Sequence, residues 1–182
     1  TVLLYNGLMK NFEEKKFDIP ALKGISAKNI EEHLKLYAGY VKKWNEIEFL
    51  PGVPQAIKIL NDKGYRIFVI SNQSGIARGL LKKTDLNLIH KNMCEELKRN
   101  GAGIEGIYYC PHGWHEGCYC RKPKPGLLYQ ASKDHFIDLT KAIFIGDDEC
   151  DKEAGDAALC KTILVTPKIN LLKIVKNIIN TK

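Results

Sequence analysis

The sequence predicts an α/β fold: a parallel sheet with helices on both faces and a cysteine-rich loop inserted between two of its elements. Three observations carry this. Apolar runs at Tyr65–Ile70, Gly106–Tyr109, Lys141–Ile145 and Lys161–Val165 alternate with stretches of helical periodicity. Continuous rather than alternating apolar strands are buried on both faces, which is the mark of a parallel sheet. Finally, polar clusters beginning at Ser71 and Asp147 directly follow two of these runs, and open parallel sheets bind ligands beyond the carboxyl ends of their strands. The layout is Rossmann-like, with a zinc-binding loop inserted.

Each element has its own local cause. The short apolar run Val2–Tyr5 is a candidate first strand, and a helix from about Ser26 to Trp44 carries Ile30, His33, Leu34, Tyr37 and Val41 on one face. After Pro51-Gly52, residues Val53, Ala56, Ile57 and Leu60 fall at helical spacing, and Gly64 ends that helix before the strand Tyr65–Ile70. Thr84 can cap a second helix with Ile89, Met93 and Leu97 on its inner face, terminated by Gly101. The strand Gly106–Tyr109 follows. Leu127, Leu128 and Ala131 predict a short helix, Lys141–Ile145 and Lys161–Val165 two more strands, and Ile169–Ile179 a closing amphipathic helix with Leu172, Val175 and Ile179 in phase.

A chain of 182 residues, 45% hydrophobic and 27% charged, suits one globular domain. Its net charge of +7 attracts phosphorylated small molecules, nucleic acid or anionic membrane surfaces alike, but the lysines are scattered, as on a solvated surface. No apolar run approaches the roughly 20 residues a membrane helix needs, and the N-terminus lacks the order of a signal peptide. A cytoplasmic monomer is the expectation, and charge alone does not choose among these partners; the phosphate-handling motifs below favour a small-molecule phosphate ester over nucleic acid or membrane.

Three of the six cysteines, Cys110, Cys118 and Cys120, lie within eleven residues together with His112 and His115. Three thiolates and one imidazole close a tetrahedral Zn²⁺ site with no position left for water, so the site would be structural. His112 is the expected fourth ligand and His115 its competitor. Such a loop has few apolar residues, and the metal would supply its folding free energy.

Ser71-Asn72-Gln73-Ser74-Gly75 sets a hydroxyl and a turn rich in N–H groups at a strand's end, suited to a phosphate or simply to a polar turn. Arg121-Lys122-Pro123-Lys124 follows the cysteines directly, so the metal loop would fix cationic heads that grip phosphate, Arg with two hydrogen bonds and Lys as a compact charge. Asp147, Asp148, Glu149 and Asp151 place hard oxygen ligands where Mg²⁺ could face a substrate phosphate, or else form an acidic helix start.

Taken in order, Ser71-Asn-Gln-Ser-Gly-Ile-Ala-Arg-Gly79, Tyr108-Tyr-Cys-Pro-His112, Cys118-Tyr-Cys-Arg-Lys-Pro-Lys-Pro-Gly126 and Gly146-Asp147 with Asp151 resemble the zinc-loop phosphatases of the haloacid dehalogenase-like superfamily, of the heptose bisphosphate and histidinol-phosphate phosphatase type. The resemblance runs from about Tyr40 to Val165. It implies hydrolysis of a sugar phosphate with Mg²⁺ held by Asp147 and Asp151 and structural Zn²⁺ on Cys110, His112, Cys118 and Cys120. It further implies that Ser71 and Asn72 hold the transferring phosphoryl group and Lys122 neutralises it. Arg121, Gln73 and Arg78 would contact the substrate, Arg121 at its distal part.

The same resemblance exposes a gap. Phosphatases of this kind attack phosphorus with the first Asp of an Asp-x-Asp-Gly-Thr motif after the first strand. With Gly7 aligned to the motif's Gly, Leu4 stands at the nucleophile, Asn6 at the general acid and Leu8 at the Thr. Leucine cannot attack phosphorus and Asn cannot shuttle a proton. Asp18 is the only Asp before Asp62. The alternative is an inactive relative that binds phosphate. Residues 14–45 also resemble the N-terminal helix of iron and manganese superoxide dismutases, where His33 and Tyr40 would match a ligand and a site-lining residue; the other three ligands have no counterpart, and His33 reads as a packing residue. The expected division is an atypical segment 1–39, comprising a degenerate first strand and a helix, followed by a phosphatase-like domain 40–182.

Overall fold

The computed structural model describes residues 2–3, 49–166 and 169–180. The chain divides into two compact units, Thr1–Asn6 with Phe49–Lys182, and Gly7–Glu48. The readings made on Leu4, Asn6, Leu8, the Ser26–Trp44 helix, His33 and Tyr40 lie outside the described residues.

Five parallel strands make one sheet: β1 Val2–Leu3, β2 Phe68–Asn72, β3 Gly106–Cys110, β4 Ile143–Gly146 and β5 Lys161–Leu164, in spatial order β3-β2-β1-β4-β5. β1 is central, with Leu3 paired to Val69 on one side and to Ile145 on the other. Strand order reverses between β1 and β4, and in open α/β sheets ligands bind at the carboxyl edge beside such a switch point. Among the described residues the α-helices are α1 Val53–Asp62, α2 Lys83–Arg99, α3 Gly126–His135, α4 Glu149–Ala157 and α5 Leu171–Asn180.

Alternation along each strand explains why both faces are covered. Phe68, Ile70 and Phe144 point into a core with Leu127, Leu128 and Ala131 of α3 and Ala154 of α4. Val69 and Ile145 face the other way and are buried too. α1 packs against α5, burying Val53, Ala56, Ile57 and Leu60 on one helix and Leu171, Ile174 and Val175 on the other. Gly155 lets α4 lie close to the sheet, since a Cβ there would fall 2.2 Å from Thr162 Oγ1.

Several elements differ from expectation for local reasons. β2 begins at Phe68 and runs on to Asn72, so Ser71 belongs to the strand itself. Thr84 lies inside α2. The helix starts after Lys82, whose N–H donates to the Asp85 carboxylate at 3.3 Å, while the Thr84 hydroxyl also donates to Asp85. The strand expected from Lys141 begins at Ile143, because Asp138 caps a 3-10 turn over Leu139–Lys141. In α5 the buried stripe is Leu171, Ile174 and Val175, a rotation from the expected Leu172, Val175 and Ile179.

Candidate active site

Four tips of the sheet define the site: the end of β2, the end of β3 with the loop that follows, the start of α3, and the β4–α4 turn. The β4–α4 turn is organised by Asp151. Asp148 caps α4 by accepting from Cys150 N at 2.9 Å. Asp151, in the first turn of that helix, folds back beneath the strand end. Its Oδ2 accepts from the backbone N–H groups of Asp147 at 3.0 Å and Asp148 at 3.2 Å, and its Oδ1 from Lys122 Nζ at 2.5 Å. Gly146 makes this possible, because a Cβ at that position would sit 2.3 Å from the Cβ of Asp151.

Lys122 and Asp151 are 5% and 1% exposed, so they form a buried ion pair whose partners depend on one another. An ammonium has three donors. One goes to Asp151 and a longer one, 3.4 Å, to the Ile70 carbonyl, which leaves the third for an anion at the strand tips.

Asp147 is solvent-accessible and, among the described residues, forms no ion pair. Partial desolvation, and then the charge on Asp151, push its carboxyl above the ordinary carboxylate range. A divalent cation would relieve that cost. A single free carboxylate at a strand tip fits Mg²⁺, which binds through one or two carboxylates, waters and substrate phosphate. Asp151, with both oxygens engaged, can support such an ion only by holding the turn.

At the end of β2, Ser71 is buried and its Oγ accepts from Gln73 Nε2 at 2.8 Å. Its own proton is then free to be donated outward. Asn72 is committed differently. Its Oδ1 accepts from Lys122 N and its Nδ2 donates to Lys122 O, both at 3.1 Å, so the carboxamide splices Lys122 onto the sheet. Asn72→Ala removes both bonds and is expected to cost about 1–3 kcal/mol and to weaken phosphate binding through Lys122. Urea denaturation and phosphate titration of the variant check this.

The cysteine loop is anchored on the same strand. Cys110, the last residue of β3, pairs with Asn72. The ligand atoms of Cys110, His112, Cys118 and Cys120 all lie within 4.8 Å of one another. Cys110 Sγ is 3.6 Å from Cys118 Sγ and 3.5 Å from His112 Nδ1, and Cys120 Sγ is 3.2 Å from His112 Nδ1. Metal–sulfur and metal–nitrogen bonds of about 2.3 and 2.0 Å in a tetrahedron require edges of roughly 3.5–3.8 Å, so the set fits a small cation. Burial pushes the Cys110 thiol up to about 12, a cost that a divalent ion would remove by holding the thiolate. His115 is exposed and outside the cluster.

From this loop the chain passes straight to Arg121 and Lys122. Arg121 Nη1 donates to the His112 carbonyl at 3.2 Å and its guanidinium lies 4.2 Å from the centre of the Trp114 ring. Gly126 opens α3 against the loop, since a Cβ would fall 2.2 Å from the Tyr119 carbonyl oxygen. Hydrogen bonds thus bring together Ser71 with Gln73, Asn72 with Lys122, Lys122 with Asp151, and Arg121 with His112. Arg78 sits on the exposed turn after Ser74 and shares no hydrogen bond or ion pair with the others among the described residues. Sequence reasoning missed the Trp114–Arg121 stack; its signal was an aromatic residue next to Gly113 inside a loop that delivers an arginine.

The arrangement can hold a small cation in the loop, a second beside Asp147, and an anion between Ser71 and Lys122. The family model described as polynucleotide kinase 3 phosphatase matches residues 27–162. A D-glycero-beta-D-manno-heptose-1,7-bisphosphate 7-phosphatase of Helicobacter pylori is 41% identical over 128 residues, covering 70% of this chain and 74% of that protein. The enzyme of the same name from Rhodopseudomonas palustris is 37% identical over 126 residues, 65% of this chain and 70% of its own length. Among solved structures, a D,D-heptose 1,7-bisphosphate phosphatase from B. bronchiseptica, complexed with magnesium and phosphate, superposes with a TM-score of 0.71 at 24% identity, covering 100% of this chain and 98% of that one. Among the described residues, no helix is long and apolar enough to cross a membrane.

Proposed function

The chain belongs to the haloacid dehalogenase-like phosphatases, in the family shared by the polynucleotide kinase 3 phosphatase model and the heptose bisphosphate 7-phosphatases, and from that premise we propose that it hydrolyses a sugar phosphate of the heptose bisphosphate type. The observation that carries this is the buried Lys122–Asp151 pair at 2.5 Å, in which Lys122 Nζ also donates to the Ile70 carbonyl next to Ser71 and Asp151 accepts from the backbone N–H of Asp147.

In this reading Ser71, pinned by Gln73, donates its hydroxyl proton to a phosphoryl oxygen, and Lys122 gives its remaining N–H to another. Preformed donors of this kind stabilise charge that builds on the transferring group without reorganising during the reaction. Asp147 would hold Mg²⁺, which supplies charge neutralisation between carboxylate and phosphate, and Asp151 would keep Asp147 and Lys122 in place. Cys110, His112, Cys118 and Cys120 would hold Zn²⁺ in a closed, structural role. Arg121 would contact the distal part of the substrate, Asn72 would act through Lys122, and Arg78 would meet the substrate only at the pocket's rim. A small-molecule phosphate ester taken by a monomer in the cytoplasm completes the reading.

Formation of an aspartyl phosphate needs an attacking carboxylate. Asp151 is fully engaged and Asp147 is assigned to the metal, so neither is available to attack phosphorus. With Gly7 taken as the motif's glycine, Leu4 and Asn6 stand at the motif positions; that is the basis of a second reading, phosphate binding without turnover, which the phosphatase relatives do not favour.

Release of inorganic phosphate from D-glycero-D-manno-heptose 1,7-bisphosphate with Mg²⁺ separates the two. Hydrolysis is expected in the wild type and a fall of at least about 100-fold in Asp147→Asn, the loss of several kcal/mol of transition-state charge stabilisation. Saturable binding of the bisphosphate with no phosphate released would establish the second reading.

A further inference from the structure

Beside the cysteine loop lies a cavity of about 170 Å³ whose lining includes Trp114, Arg121, Lys122, Pro123 and Lys124. Three cations border it, and two are already committed. Lys122 pairs with Asp151 at 2.5 Å. Lys124 Nζ donates to the carbonyls of Cys118 at 2.9 Å and Gly117 at 3.2 Å. Among the described residues neither Lys124 nor Arg121 has a carboxylate within ion-pair distance; Arg121 donates once, to the His112 carbonyl, and lies against the face of Trp114.

The loop is shaped to present that face. Gly113 N–H donates to the Glu116 carboxylate at 2.6 Å, and Gly117 turns the chain back at a φ of +62°, a conformation that favours glycine. The turn between the ligands His112 and Cys118 is thereby closed on itself and carries Trp114 outward, 73% exposed. An exposed tryptophan gains little by burial here, whereas an indole face beneath a guanidinium attracts it through the ring quadrupole and leaves its in-plane N–H groups available. An arginine held flat in this way presents a planar fork to an oxyanion and loses less freedom on binding than one that swings in solvent.

We infer that Trp114 is a positioning residue for Arg121 and sets the preference for substrates that carry a second anionic group at their distal end. This rests on the assignment of Arg121 to the distal part of the substrate. Trp114 acts through Arg121 and does not contact the phosphoryl group being transferred.

The test is calorimetric titration of the full chain loaded with Mg²⁺ and Zn²⁺, with D-glycero-D-manno-heptose 1,7-bisphosphate and with inorganic phosphate as probes, so that no turnover is needed (in the active case, Asp147→Asn is the background). The readout is the ratio of the two affinities, with bound zinc measured in each variant. Trp114→Ala is expected to lower the ratio about two- to fivefold, the worth of an exposed cation–π contact, and Trp114→Phe to restore most of it. Arg121→Ala is expected to lower the ratio further, with Trp114→Ala adding nothing on that background. If Arg121→Ala shrinks the ratio while Trp114→Ala does not, or if Trp114→Ala acts only by losing zinc, the inference is overturned. If Arg121→Ala itself leaves the ratio intact, the assignment of Arg121 fails instead.

Discussion

Replacing Lys122 by Met is expected to destabilise the protein by about 3–5 kcal/mol, because it strands the Asp151 carboxylate in the interior without its cationic partner. The two backbone N–H groups of Asp147 and Asp148 still bind Oδ2, but Oδ1 loses the only side-chain donor it has among the described residues. At about 2–4 °C per kcal/mol for a chain of this size, the melting temperature falls by roughly 6–20 °C. Phosphate affinity is lost in the same variant, since the third ammonium donor goes with it. The double variant Lys122→Met/Asp151→Leu separates the two effects. It removes the stranded charge and so recovers part of the stability, yet it leaves the Asp147 and Asp148 amides unsatisfied and regains no anion affinity. A Lys122→Met protein that melts at the wild-type temperature would show that the pair is not buried as described.

Metal removal is expected to have the second large effect. The loop from Cys110 to Lys124 has little apolar surface of its own inside the protein: Cys110 is fully buried, whereas Trp114 and Tyr119 are 73% and 85% exposed. Its order therefore depends on the thiolate and imidazole ligands, and structural zinc sites carry apparent binding free energies of about 10–16 kcal/mol near neutral pH. Elemental analysis is expected to find one zinc ion per chain. After chelation, or in Cys120→Ala, backbone amide exchange should accelerate across residues 110–124, while the strands β2 and β4 stay protected. Phosphate affinity should fall at least tenfold, because Lys122 is carried on the loop and spliced to β2 through Asn72. Unchanged exchange after complete zinc removal would contradict a metal-organised loop.

Much of this was legible in the sequence, and the reasons are specific. Residues Ile67–Ile70 form a continuous apolar run, as expected of a strand covered on both faces, and this points to the parallel sheet. Cys110, His112, Cys118 and Cys120 were readable because thiols and imidazole at such close spacing have few other uses, and the structure gathers their ligand atoms within 4.8 Å. What escaped was the wiring between motifs. Nothing in Asn72 or Lys122 as letters reveals that a carboxamide closes two hydrogen bonds with a backbone fifty residues away; that depends on the register that pairs Asn72 with Cys110. The acids after β4 showed a similar ambiguity. Asp148 is a helix cap, Asp151 an internal buttress, and Asp147 and Glu149 are exposed, of which Asp147 stands next to the strand end. Gly146 was the available clue, because a residue without Cβ just before an acidic cluster leaves room for one of those acids to fold back.

An anion site shared by Ser71, Lys122 and Asp147 is the central claim, and a crystal structure of the protein soaked with Mg²⁺ and phosphate tests it most directly. Phosphate is expected within hydrogen-bonding distance of Ser71 Oγ and Lys122 Nζ, with Mg²⁺ between it and Asp147. Well-ordered phosphate bound elsewhere, with these three side chains facing only solvent, would contradict it.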